Sequence, residues 1–236
     1  MQEFLDFLGH GFCHQIASRC FEAGGLTFSV CARDTGIYLG FLFTLISAFI
    51  IYARTEKKPG DLPPLWCMLI LILLVLPMAL DGLSSYLGLR PTTNAIRYFT
   101  GLGTGIGAGI LLTPLLFTIR KDADASKKAF DKPSIFALEL LLTLVLSIAF
   151  FLLYPYLGVV SPFFAAAAFL ALVVSLNLIL LTLSKRLFPR RTLKHWLFLL
   201  ALCLVLSFIE IAAFAAIRDL AVHILLGGQD FSSFMK

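Results

Sequence analysis

Residues 81–109, DGLSSYLGLRPTTNAIRYFTGLGTGIGAG, decide how this chain is read. The stretch leaves one apolar segment with a carboxylate, Asp81, and crosses a short polar turn. It then re-enters the apolar phase carrying Asn94 and Arg97. Glycines recur at 101, 105 and 109, and on a helix positions four apart lie on one face. Gly101, Gly105 and Gly109 therefore form a flat groove that admits a neighbouring helix backbone, the small-residue packing used in lipid. Asn94, Arg97, Gly101, Thr104, Gly105 and Ala108 follow the same three/four spacing, so the polar residues sit above that groove. A charge leading into an apolar helix is costly in hydrocarbon and normally faces a cavity, an interface or a partner. The plain alternative is that Arg97 snorkels to the membrane surface. The stretch reads as a central helix with a polar mouth.

Composition extends that reading to the whole chain. Of 236 residues 59% are hydrophobic and 14% charged, with a mean hydropathy of +0.93. Soluble domains average about 25% charged residues. The expected fold is all-α: a polytopic membrane protein forming one domain over 1–236, with six transmembrane helices and an N-terminal interfacial or re-entrant Cys-His motif at 1–34. The spans fall near 35–53, 63–80, 95–119, 134–157, 162–184 and 196–222, each long enough for about 30 Å of hydrocarbon. Pro77 and Pro114 lie inside spans and are expected to kink them. The start, MQEFLDFLGHGF, is acidic where a signal peptide needs basic residues, so no cleavable targeting signal is expected. FLDFLGHGF itself suits a short amphipathic interfacial piece.

The net charge of +5 invites a nucleic-acid reading. The basic residues, however, are confined to short loops, which is topology, and no nucleic-acid partner is expected. Loop 54–62 holds Arg54, Lys57 and Lys58. Loop 120–133 holds Arg120, Lys121, Lys127, Lys128 and Lys132, and loop 185–195 holds Lys185, Arg186, Arg190, Arg191 and Lys194. The alternate side carries only Arg19, Arg33, Arg90, Arg97, Arg218 and Lys236. The positive-inside rule then puts both termini outside the cell membrane. On that face collect Cys13, His14, Cys31, Asp34, Asp81, Arg90, Arg97, Arg218, Asp219 and His223.

The segment 13–38, CHQIASRCFEAGGLTFSVCARDTGIY, concentrates thiol, imidazole and carboxylate. These are the usual zinc ligands, and two short ligand pairs on separate turns build a tetrahedral site. Cys13-His14 and Cys31-x-x-Asp34 would be the pairs, with Gly24-Gly25 folding the chain back between them. The same residues admit a disulfide of Cys31 with Cys13 or Cys20. They also admit a nucleophile set of Cys, His14 and Asp34, or a mere interfacial turn. Cys67 and Cys203 fall inside apolar runs and read as packing residues.

The three motifs CHQIASR, CARDTGIYLG and DGLSSYLGLRPTTNAIRYFTG, in that order, resemble a family of small predicted membrane proteins, the domain of unknown function DUF2085. The resemblance covers about residues 12–109. It implies Cys13, His14, Arg19, Cys31, Arg33, Gly36, Tyr38, Asp81, Gly82, Arg90, Asn94, Arg97, Thr100 and Gly101 as the family's positions. Two departures stand out: Asp34 replaces the second Cys of a usual CARC, and Ser85 stands where Gln is common. Asp34 keeps a metal ligand but removes a dithiol. The resemblance implies no reaction.

Elsewhere, Glu210 lies near the middle of the last span, and an intramembrane carboxylate is a functional or paired residue by default. Glu139 lies near the inner end of the fourth span, where the interface would solvate it. Asn177 and Ser175 read as interhelical hydrogen-bonding groups. The functional expectation is a transition metal, zinc, on Cys13, His14, Cys31 and Asp34. Beside it lies a pocket of Asp81, Arg90, Asn94, Arg97, Thr100 and Arg33 for an anionic or lipid-phosphate ligand, since arginines suit phosphate and carboxylate. Asp81 and Glu210 are the catalytic candidates if the protein is a metalloenzyme. The alternative is a transporter or a subunit of a homo- or hetero-oligomer whose N-terminus is stapled by metal or disulfide.

Overall fold

The computed structural model describes residues 1–120, 122–183 and 193–226. It is mostly helical, with α1 (Gln2–His10), α2 (Ala32–Ile51), α3 (Leu65–Tyr86), α4 (Asn94–Thr118), α5 (Pro133–Leu153), α6 (Val160–Leu183) and α7 (Leu193–Leu226). All but α1 are long and apolar enough to cross a membrane. Lys121 and the basic loop expected at 185–195, up to residue 192, lie outside the described residues, as does Lys236.

Of the boundaries that depart from expectation, two bear on the polar end of the bundle. Helix α2 begins at Ala32, so Arg33 and Asp34 lie in its first turn. Helix α3 runs on to Tyr86, past the expected end at 80, and draws Asp81 into its last turns. Hydropathy ends a span at the first charge, whereas a helix continues wherever that charge finds a partner. Pro77 and Pro114 lie within continuous helices.

The N-terminal segment is more regular than an interfacial turn. After α1, whose Leu5 and Leu8 are buried, a short 3-10 turn at Ala17–Arg19 leads into an antiparallel hairpin of β1 (Cys20–Ala23) and β2 (Leu26–Cys31). Gly24 and Gly25 take φ of +59° and +75° at its tip, the left-handed conformations a two-residue hairpin turn needs. Phe21 and Phe28 root the hairpin among Tyr98, Phe151 and Tyr154. At the other end of the bundle a parallel pair, β3 (Lys58–Asp61) and β4 (Ala123–Lys128), ties two loops together. Neither pair shows in the hydropathy pattern, because both are too short to leave a period.

Helix α4 is central. Its glycine face meets α2 at backbone distance: a Cβ on Gly101 would sit 2.0 Å from Arg33 O, and one on Gly105 2.1 Å from Ile37 O. A Cβ on Gly109 would lie 2.6 Å from Thr44 Cβ, and Gly36 and Gly40 of α2 return the approach toward Tyr98 O and Leu102 O. Helix α3 covers another face of α4, while Leu69, Ile72, Leu73, Leu76, Leu80 and Leu83 point outward as an apolar surface suited to lipid.

Candidate functional site

The hairpin returns the chain to the start of α2, and that return assembles the site. Cys31 is the N-cap residue of α2 and Asp34 lies in its first turn, so the C-x-x-D spacing spans one turn. Cys31 Sγ lies 3.2 Å from Asp34 Oδ2. Cys13 arrives from the loop after α1, and its sulfur accepts from Cys31 N at 3.2 Å and Gln15 N at 3.5 Å. Gln15 makes this approach with φ of +52°, its amide donating to Asp6 O and Ser29 O.

One ligand atom each from Cys13, Cys31 and Asp34 falls within 4.8 Å of the others. His14, the fourth expected ligand, is exposed and not among these three, though it lines the same cavity. Consecutive residues in that turn face apart, so Cys13 turns inward and the imidazole toward the mouth. All five cysteines are free. Contact with the Cys31 side chain holds the Cys13 thiol below its ordinary value, while the same contact, burial and Asp34 push Cys31 up. Burial pushes the neighbouring Cys20 thiol up to about 12. Two sulfurs and a carboxylate thus converge, and of the two thiols Cys13 gives up its proton the more readily.

A cavity of about 220 Å³ opens beside this cluster, and Arg19, Arg33 and Arg97 share its wall with Ser85 and Tyr86. Asp81 is fully buried behind it. It pairs with Arg33, accepts from Arg90 Nη2 at 2.7 Å and accepts from Thr92 Oγ1 at 2.8 Å. Its one negative charge therefore answers two guanidinium groups. Arg33 Nε is buried without a partner. Arg97 donates to the neutral Asn94 Oδ1 at 3.0 Å, and Arg19 stands 6.0 Å from the Tyr86 ring centroid. Among the described residues neither Arg19 nor Arg97 has an acidic ion-pair partner. The cavity wall carries uncompensated positive charge.

Several expected pocket residues have other engagements. Asn94 donates to Cys20 O at 3.1 Å and to Ser18 O at 3.4 Å, fastening the hairpin to α4. Thr100 donates to its own helix at Ile96 O and Arg97 O. Asp81 and Arg90 stand behind the wall instead of lining it. Glu210 is not brought to this site; its Oε2 accepts from Asn177 Nδ2 at 3.0 Å across α6 and α7.

Sequence reasoning missed a clasp made by α7. Arg218 donates to His10 O and, at 2.7 Å, to Cys13 O. Asp219 meets His10 Nε2 at 2.7 Å, and Phe12 packs its ring 4.9 Å from that of Phe214. A Cβ on Gly11 would lie 2.7 Å from Ala215 N, so chain and helix nearly touch. The signal was the R-D pair at 218–219, too short a pattern to place across two hundred residues.

The family described as predicted membrane protein (DUF2085) matches residues 13–111. An uncharacterized protein of Methanothermobacter thermautotrophicus is 36% identical over 99 residues, 42% of this chain and 82% of that one. An uncharacterized protein of Methanocaldococcus jannaschii is 36% identical over 106 residues, 44% of this chain and 64% of that one. No solved structure matches.

Proposed function

Because the chain belongs to the DUF2085 family of predicted membrane proteins, and the matched stretch contains the whole Cys13–Cys31–Asp34 cluster, we propose that it is a membrane metal site that takes an anionic ligand. Cys13, Cys31 and Asp34 would hold zinc, and Arg19, Arg33 and Arg97 would receive a phosphate or carboxylate group beside it. The observation that carries this reading is the adjacency of three soft and hard donors to a cavity wall with unanswered positive charge. Three protein ligands leave zinc a fourth position, which distinguishes a working site from a closed structural one. Zinc bound there would supply Lewis acidity toward the ligand or a bound water. The protein's part is to orient the anion with planar guanidinium groups and to keep Asp81 from quenching all of them.

The rival, a structural staple, gains little support from the hairpin's own fastenings. Asn94 on Cys20 O, Arg218 on Cys13 O and Gln15 on Ser29 O already hold the motif. We place the site on the extracytoplasmic face of the cell membrane, because Lys57, Lys127, Lys128 and Lys132 gather at the opposite end. The test is elemental analysis of purified protein with titration by inorganic phosphate. Zinc should be present at one per chain and lost in Cys31→Ser, and phosphate affinity should fall at least tenfold in Arg97→Ala while zinc remains. Metal-free protein, or phosphate affinity indifferent to Arg97, would overturn the reading.

A further inference from the structure

Outside this site the described residues hold one more fully buried carboxyl, and the hydrogen atoms around it can be counted. Glu139 lies in the second turn of α5, about 9 Å from the helix start at 1.5 Å per residue, and is fully buried. The interface does not solvate it, contrary to the sequence expectation. Its Oε1 lies 2.5 Å from Ser47 Oγ of α2 and 3.3 Å from Thr143 Oγ1. Its Oε2 has no partner, and neither has the buried Thr44 Oγ1.

Among the described residues no Lys or Arg pairs with Glu139. The titratable groups on surrounding elements are Tyr52 at the end of α2, Cys67 of α3, Asp131 before α5 and Lys58 of β3. Tyr52 OH accepts from Phe130 N, and the Lys58 ammonium is engaged by the carbonyls of Tyr52, Ala53 and Thr55. None of these groups supplies a cation to answer a carboxylate.

Ser47 has one hydroxyl hydrogen but four oxygen neighbours: Phe43 O at 2.8 Å, Thr44 O at 3.2 Å, Thr143 Oγ1 at 3.0 Å and Glu139 Oε1 at 2.5 Å. The two carbonyls can only accept. If Ser47 donates to Phe43 O, the short contact to Oε1 needs a hydrogen from the carboxyl. With a carboxylic acid at Glu139, the acid donates to Ser47, Ser47 donates to Phe43 O, and Thr143 donates to Ser47. The acid form brings three hydrogens to these contacts, one each from Glu139, Ser47 and Thr143, whereas an ionised carboxylate leaves two and a charge buried without a counter-ion, which proteins avoid by neutralising the group.

We propose that Glu139, with Ser47 and Thr143, is a proton-binding site inside the membrane, loaded in this conformation. On discharge the acid gives its proton to water, and the Ser47 hydroxyl turns from Phe43 O to the new carboxylate. That requires water to reach the α2–α5 seam, which the present packing shuts out. The same helix α2 carries Arg33 and Asp34 at its other end, so loading acts on the helix that builds the pocket.

Infrared spectroscopy of the full chain in lipid vesicles tests this without reference to metal. A protonated carboxyl stretching band should be present at neutral pH, disappear in Glu139→Gln and shift in Ser47→Ala. If Glu139→Gln does not fold, the Ser47→Ala shift alone decides. Absence of the band in the unmodified protein would overturn the proposal. So would its loss when sodium replaces choline at constant ionic strength, since the site would then hold a metal cation instead of a proton.

Discussion

The seam between α2 and α4 and the seam between α6 and α7 solve the same packing problem with opposite means. The first brings backbones together, with Gly101 and Gly105 leaving no room for even a methyl group against Arg33 O and Ile37 O. The second is held by side chains: Asn177 bridges Glu210 and Ser207 between helices that present bulky aliphatic residues to their surroundings. Lipid gives helices no hydrophobic reason to associate, so close backbone contact and interhelical hydrogen bonds are what remain. Backbone contact fixes position within a fraction of an ångström, and the seam built that way carries Arg33, Asp34 and Arg97. Side-chain contact tolerates adjustment, and the seam built that way carries a clasp. The first seam carries the candidate site, and α7 of the second touches the chain at residues 10–13 beside it.

The largest effect expected on the rigid seam comes from its charges. Asp81→Ala leaves Arg33 largely buried with its ion-pair partner removed, and breaking a buried pair costs about 3–5 kcal/mol. Thermal unfolding in detergent should show the loss, and Asp81→Asn should recover only part of it. Little change would mean that water reaches Arg33 and that the seam is open at its polar end. Gly101→Ala should follow at about 3 kcal/mol, the upper end of the usual overpacking cost, because the obstructing atom is main-chain carbonyl and not a flexible side chain. Gly107→Ala is the control, since its nearest neighbour is Val75 Cγ2 at 3.6 Å.

The contrast between seams also separates what was readable from what was not. Gly101, Gly105 and Gly109 announce their seam in sequence because glycine is a poor helix former, so its recurrence every fourth residue of an apolar helix signals close backbone packing. The six spans were legible for a similar reason: hydrocarbon imposes length and composition. Asp81 and Arg90 are close in sequence, so a short hairpin between two spans is enough to bring them together. Arg33 was placed among ligand residues, but its pairing with Asp81 depends on the α2–α3 geometry, which no local pattern encodes. His14 was named a ligand on residue type, which carries no information about which way a turn faces. Asn94 and Thr100 looked like pocket residues because polarity does not reveal that a backbone carbonyl already occupies the group. The α7 clasp was the least legible, being a contact between residues 10–13 and 214–219 with no periodicity to report it.

On the compliant seam the clasp should matter more than the bridge. Arg218→Ala removes charged hydrogen bonds to His10 O and Cys13 O, worth about 2 kcal/mol together. Its particular signature, read after metal chelation, should be faster alkylation of Cys13, which is mostly buried. The pH profile of that alkylation is a further check. Cys13 titrates below its ordinary 9.0 in the folded protein, so its reactivity should persist at lower pH than that of an unfolded thiol. By linkage, the stabilisation from its thiolate is present above the unfolded value and fades as pH falls through the folded one. Cys20, pushed up to about 12, should stay unreactive across the same range; its neutral thiol stabilises below 9.0, and that contribution is lost as pH climbs toward 12.

The smallest effect should come from the bridge itself, and its smallness is what a compliant seam requires. Glu210→Gln keeps the shape of the side chain and an oxygen able to accept from Asn177 Nδ2, now at 3.0 Å. Interhelical hydrogen bonds in membranes average about 0.6 kcal/mol, because the separated helices also find partners. Weakening one of them should therefore shift unfolding by less than that, and Cys13 alkylation should keep its unmodified rate. If Glu210→Gln instead unlatched Cys13 as fully as Arg218→Ala, the α6–α7 contact would be transmitting position to the site as stiffly as the glycine seam does. The distinction between a rigid seam and a compliant one would then fail, and Glu210 would return as a residue of the site acting from the middle of the last helix.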